Sequence, residues 1–307
     1  MMANEGSQRR GLLNLGLLVV VVLLAATVWR VSRPTAPAGH VLVPDLHASD
    51  IRHITLTRQG EPKLEFARKA GIWRIVAPLQ ARANRMLVQS LLALPESRSP
   101  RRYTLKGLDL EHYGLAPPRV TIHYGNDHAL RLGNLNPVNN LRYALAGKHL
   151  YLIQNALADL PESPALRWIS LDLLPPDAHI RDLALPNLNI RAKSPSGWTV
   201  TPRPTHLMSD QIVRLLQNWS LASAYRVTTG PKAPTDGKPA QPIAITLDNG
   251  KTYRFTLIST QPELVLRREG LDIDYHLPAD TAKALLALGK PERGDDAKGQ
   301  GRTARAP

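Results

Sequence analysis

The chain has 307 residues, 43% of them hydrophobic, with a formal net charge of +14; that is length for two ordinary domains and apolar material for a core. It contains no cysteine, which excludes disulfide staples, thiolate nucleophiles and cysteine-ligated zinc or iron–sulfur centres. The positive excess is spread along the chain, as suits contact with an anionic surface such as lipid headgroups or envelope polymers. The 26 prolines and 20 glycines favour short strands and turns over long helices.

Residues 1–10 form a short leader ending in Arg9 and Arg10. Gly11 to Trp29 then runs for 19 positions without a charge. As a helix rising 1.5 Å per residue this stretch is about 28 Å long, close to the ~30 Å hydrocarbon thickness of a bilayer. The expectation is a single transmembrane helix over 11–31. It is retained and not cleaved, because the apolar run exceeds the ~7–15 residues of a signal-peptide core. The arginines ahead of it place the N-terminus in the cytoplasm and the body on the periplasmic side of the inner membrane, with Arg30 and Arg33 acting against that orientation. Residues 32–49, rich in proline at first, form a stiff linker.

The body reads as two similar sentences, 50–175 (with a connector at its end) and 176–289. Trp73 is placed over Trp198, and eleven residues on stand Asn84 and Ser209, both good helix N-caps. Leu87, Val88, Leu91 and Leu94 follow in the first half, with Ile212, Val213, Leu216 and Trp219 at the same offsets in the second; each set is one face of a short amphipathic helix. Alternating runs bounded by Gly-containing turns precede each tryptophan, and two hairpins follow each helix, the first around Gly125 to Asp127 or Asp248 to Gly250. The predicted order in each half is β-β-β-α-β-β-β-β. The fold class is α+β: a transmembrane helix, then two tandem copies of a mainly antiparallel sheet module carrying one packed helix. Residues 290–307 lack almost any apolar side chain and are expected to be disordered.

The Trp-x-x-x-x-Pro strand end (Trp73 to Pro78), the Leu-Leu-x-Leu of the first helix (Leu91 to Leu94), "YGLAPPRVTI" (Tyr113 to Ile122), "RYALAGKHLYLI" (Arg142 to Ile153) and "LDLLP" (Leu171 to Pro175) together resemble the bacterial domain-of-unknown-function family 4340. The resemblance implies a membrane-anchored, envelope-facing protein, some members accompanying gliding-motility-type ABC transporter components. It carries no catalytic residue over to this chain.

Candidate sites are few. His123 and His128 flank a hairpin turn and read as surface strand histidines. The Gly-Lys-Thr at Gly250 to Thr252 is preceded by Ile245 where a phosphate loop needs glycine, and is a hairpin turn. Asp272 and Asp274, with Glu269 nearby, read as a solvated strand face. Trp73 and Trp198 read as core anchors. Arg98, Arg101, Arg102 and Lys106 concentrate positive charge after the first helix and form a patch for an anionic ligand. No catalytic signature appears, no metal or cofactor site is expected, and the charge has none of the motifs of nucleic-acid recognition. The expected function is a non-catalytic periplasmic scaffold with protein partners in the envelope, accessory to an ABC-type transport complex. The alternative is a binding module for an anionic lipid headgroup or glycan.

Overall fold

Two alternating runs separated by a glycine turn can bury one face only by pairing, and the chain does this repeatedly. The computed structural model describes residues 19–24, 27, 39–193, 197–230 and 241–289. The leader, most of the predicted anchor, the start of the predicted linker (32–38) and residues 194–196, 231–240 and 290–307 lie outside the described residues. Residues 19–24 and Thr27 are helical; among the described residues no helix is long and apolar enough to cross a membrane.

The first half begins with β1 (His40–Val41), β2 (His53–Arg58), β3 (Leu64–Lys69), β4 (Ile72–Ala77) and β5 (Ala81–Arg82), then α1 (Arg85–Ala93). It continues with β6 (Arg98–Ser99), β7 (Arg102–Thr104), β8 (Val120–Tyr124), β9 (His128–Leu135), β10 (Leu141–Ala146) and β11 (His149–Gln154). After a one-turn helix α2 (Asn155–Ala158) and two 3₁₀ turns, the second half runs β12 (Ile180–Leu185), β13 (Leu188–Ala192), β14 (Trp198–Thr201), α3 (Ser209–Leu221) and β15 (Arg226–Thr229). It ends with β16 (Gln241–Leu247), β17 (Thr252–Ser259), β18 (Glu263–Arg268), β19 (Ile273–Pro278) and α4 (Thr281–Leu286). The fold is α+β, mostly sheet with few helices.

One sheet has the order β5-β4-β3-β2-β8-β9-β10-β11-β7 and the other β14-β13-β12-β16-β17-β18-β19-β15, with β1 and β6 forming a separate pair. Matched in chain order, the two large sheets differ only by β5. In each, the first strand of the large sheet after the helix, β7 or β15, crosses to the far edge and pairs with the last strand: Tyr103 opposite Leu150, and Val227 opposite Tyr275. The sequence reading placed four strands after each helix; five form in each large sheet's half. The extra ones, β7 and β15, are three and four residues long, too short for period-2 alternation to stand out.

The helix register differs from the tryptophan alignment by one position. Pro78 stands five positions after Trp73 but Pro202 only four after Trp198, and both prolines follow cis peptide bonds. From there on the halves are one step out of phase. Asn84 caps α1 as expected, its Oδ1 accepting from Met86 N at 3.1 Å and Leu87 N at 3.3 Å. In the second half the cap position is Met208, and Gln211 reaches back to accept from the Met208 amide at 3.0 Å, while Ser209 is already helical. Consequently α3 buries Ile212, Leu215, Leu216 and Trp219, and Val213 is exposed.

The apolar faces of both sheets and of α1 and α3 merge into one continuous core. Tyr124 is fully buried under α1 and donates to Leu91 O at 2.8 Å; burial raises its hydroxyl pKa. Trp219 donates to Leu285 O at 2.8 Å and its ring sits 6.3 Å from that of Phe255. The connector after β11 is held to the first sheet by arginines. Arg142 donates to Gly133 O at 2.9 Å and Glu162 at 2.7 Å and also pairs with Asp159, while Arg119 grips Glu162 at 3.1 and 3.2 Å. Tyr113 packs edge-on against Tyr143 at 4.8 Å, with Leu115, Leu145 and Leu150, in a small second cluster. Gly114 there has φ +66° and stands against the side chain of Asn134, so a Cβ at this position would strain the backbone and displace that side chain.

Candidate functional site: a cationic cleft between the sheets

Beyond Trp168 the connector becomes extended and lies between the halves. On one side Ala83 bridges Ile169, Asn84 N donates to Trp168 O and Ser170 N to Arg82 O. On the other Asp172 bridges Ser223, Leu173 N donates to Ala222 O and Ala224 N to Leu171 O. This stitch brings β4 and β5 of the first sheet toward the hairpin ends of the second, and a cleft of about 240 Å³ opens between them.

Four cations line that cleft: Arg74 from β4, Arg82 from β5, Lys251 from the turn before β17, and Arg268 from the end of β18. Gln80, Tyr253, Tyr275 and a single carboxylate, Glu269, complete the polar lining. Arg74 and Arg82 stand directly opposite each other across the β4–β5 pair, an arrangement that like charges make unfavourable. Burial lowers the pKa of Arg82, with Tyr275, Tyr253 and Asp172 opposing and Arg74 adding to the shift. Arg268 is lowered by burial as well, with Arg82 a further cause. Tyr275 is raised, again chiefly by burial.

Part of this charge is satisfied locally. Arg82 donates to the backbone oxygen of Asp172, and Arg268 lies over the rings of Tyr253 at 4.4 Å and Phe255 at 4.9 Å. One nitrogen of Arg268, Nη1, is buried without a hydrogen-bond partner. Among the described residues none of the four cations forms an ion pair. A convergent, partly desolvated set of donors of one sign, three of them planar guanidinium forks, is chemically a receptor for an oxyanion.

The patch expected from the sequence lies elsewhere. Arg98 is on β6, Arg102 on edge strand β7, and Arg101 and Lys106 flank β7; all four are exposed. Arg98 donates to Gly39 O at 3.4 Å, and none of the four forms an ion pair among the described residues. The Gly250 to Thr252 segment is the hairpin turn expected of it, with Asn249 Oδ1 accepting from Lys251 N at 3.0 Å, and it delivers Lys251 to the cleft. Trp73 is 9% exposed and joins the core, but its rim also lines a groove outside the cleft.

The acidic strand face is corrected. Asp274 is 6% exposed and receives two hydrogen bonds from Arg267, at 2.7 and 2.9 Å. Asp272 precedes β19 with φ +50°, so the two carboxylates do not share a strand face. A polar cluster missed in the sequence fastens β15: His276 contacts Glu263 through Nδ1 at 2.7 Å and Thr228 through Nε2 at 2.8 Å.

Compared with known protein families, the chain matches over residues 73–243 a family model described as a domain of unknown function, DUF4340. It belongs to that family. No curated protein and no solved structure matches it. The DUF4340 match begins at Trp73, runs across the connector and ends inside β16. It therefore includes Arg74 and Arg82, whereas Lys251, Tyr253, Arg268 and Tyr275 lie beyond it.

Proposed function

We propose that this DUF4340 protein is a membrane-anchored, periplasmic binding subunit whose inter-sheet cleft holds a phosphate-bearing envelope ligand. The observation that carries the reading is the convergence of Arg74, Arg82, Lys251 and Arg268 on one cleft without an ion pair among the described residues. Partly buried charges act on a ligand through a lower effective dielectric than surface charges do. Exposed Arg98, Arg101, Arg102 and Lys106 are screened over a Debye length of about 8 Å at physiological salt, so they fit a weaker contact with an anionic surface. The shared strand order supports descent of the two halves from one copied module, with the cleft arising at their junction. An accessory role beside protein partners, such as an ABC-type envelope complex, is the setting implied by the family resemblance.

Calorimetric titration of the full-length protein in phosphatidylcholine nanodiscs with sodium pyrophosphate is expected to show one site. Arg268→Met should weaken it by about tenfold or more, the loss of one charge-assisted bond worth ~1.5–3 kcal/mol. Unchanged affinity in that variant overturns the cleft reading. Arg101→Glu combined with Arg102→Glu should leave pyrophosphate affinity unchanged while reducing salt-sensitive adhesion to anionic vesicles.

The anchor rests on the uncharged stretch 11–29. Alkaline carbonate extraction of membranes should leave the full chain in the pellet, and removal of residues 1–31 should release it. Release of the full chain would remove the anchor from the account.

A further inference from the structure

A second, larger cavity adjoins the cleft. It is a groove of about 920 Å³ running along α1, whose Met86, Gln89 and Ala93 recur at helical spacing on the side turned away from the buried Val88 and Leu91. Ile72, Trp73, Met86, Leu92 and Leu171 supply its apolar surface. Ile72 is 41% and Met86 70% exposed. Such side chains at one concave site are the composition of a ligand groove and not of an ordinary wet surface.

Arg82 lines both the groove and the cleft, so the two cavities meet at a guanidinium. The groove carries charge of both signs: Arg68, Arg82 and Arg85 against Asp172 and Glu96. Arg82 and Arg85 stand at the N-terminal end of α1, beside Asp172, and Glu96 follows its other end; the helix itself is about 13 Å long at 1.5 Å per residue. Arg68, which also lines the groove, keeps its Nε buried without a hydrogen-bond partner. The cleft is smaller than the ~300–1,000 Å³ typical of sites for drug-sized ligands, and the groove lies near the top of that range. A compact anion suits the first and an extended apolar chain suits the second.

We infer that the ligand is an anionic single-chain amphiphile, its phosphate held at Arg82 and Arg268 and its acyl chain laid along α1 over Trp73. This rests on the cleft reading and adds the chain-binding groove to it. Charge complementarity at the Arg82 end decides the orientation: the apolar tail cannot occupy the cationic cleft without burying guanidinium groups against hydrocarbon.

The test uses the full chain carrying Trp29→Phe, in phosphatidylcholine nanodiscs, titrated with lysophosphatidate brominated on its acyl chain. Bromine quenches tryptophan fluorescence at short range, so saturable quenching is expected, and most of it should vanish in Trp73→Phe. Leu92→Glu should weaken the amphiphile at least tenfold yet leave pyrophosphate affinity as in the parent. A brominated monoacylglycerol, which lacks the phosphate, should quench at least tenfold less well at equal concentration.

The inference is overturned if lysophosphatidate binds no more tightly than pyrophosphate, if the uncharged lipid quenches equally, or if Leu92→Glu changes nothing. It is overturned too if a photoreactive residue at Met86 captures a polypeptide in cells in place of lipid. In each of those cases pyrophosphate binding sensitive to Arg268→Met leaves the cleft standing. Loss of pyrophosphate binding in the parent protein removes both.

Discussion

Trp168→Ala is expected to destabilise the fold by about 3–5 kcal/mol, the range for truncating a large buried aromatic. Trp168 is 0% exposed, its ring meets Phe66 edge-on at 5.3 Å, and its Nε1–H donates to Ser163 O at 3.3 Å. Its backbone oxygen also accepts from Asn84, the residue that caps α1. The substitution therefore opens a cavity where the connector leaves the first sheet and loosens the hinge point of the stitch that forms the cleft. Because one core spans both sheets, a single cooperative transition is expected. Urea denaturation of the full chain in mild detergent, followed by near-ultraviolet circular dichroism, should show one transition displaced to lower denaturant. Two separated transitions in the parent protein would contradict a continuous core.

Asp274→Ala is the second large effect, about 3 kcal/mol, the lower end for removing one partner of a buried ion pair. The Arg267 and Asp274 side chains are 13% and 9% exposed and joined by two bonds. Taking the carboxylate away removes both of these bonds and puts an apolar methyl where the guanidinium met an anion. Arg267→Met together with Asp274→Leu should recover most of the loss, since a packed apolar pair costs no desolvation of charge. The two interpretations of this residue separate cleanly. A solvated strand face predicts a change within about 0.5 kcal/mol for Asp274→Ala, and chemical denaturation resolves the difference easily.

Several local features were legible in the residues because neighbours along the chain decide them. Asn84 caps α1 through its own side chain, and the turn at Asn249 and Gly250 closes through an Asn side chain and a glycine at φ +79°. These depend on propensities that act over four or five residues. The second helix shows where such reasoning slips. One residue fewer between Trp198 and Pro202 moves α3 by a hundred degrees of helical turn relative to the tryptophan alignment, so Met208 takes the cap position and Leu215 takes the buried place expected of Val213. The prolines, not the tryptophans, were the better landmark.

The cleft was not legible, for a different reason. Arg74 follows a core tryptophan, Arg82 lies in a two-residue strand, Lys251 sits in a turn and Arg268 precedes one; each alone is an unremarkable cation near a strand end. The patch at Arg98 to Lys106 drew attention because its charges adjoin in sequence, yet adjacency on an exposed edge leaves them surrounded by water.

The order of residues by itself determined the class of the fold, the place of α1, most of the hairpins and the resemblance to a family. All of these follow from short-range periodicity and turn chemistry. Only the tertiary structure decided that β7 and β15 cross to the far edge, that the connector stitches the two sheets together, and that four separated cations share one cavity. Long-range pairing sets these, and no local pattern encodes which distant edge a strand will meet.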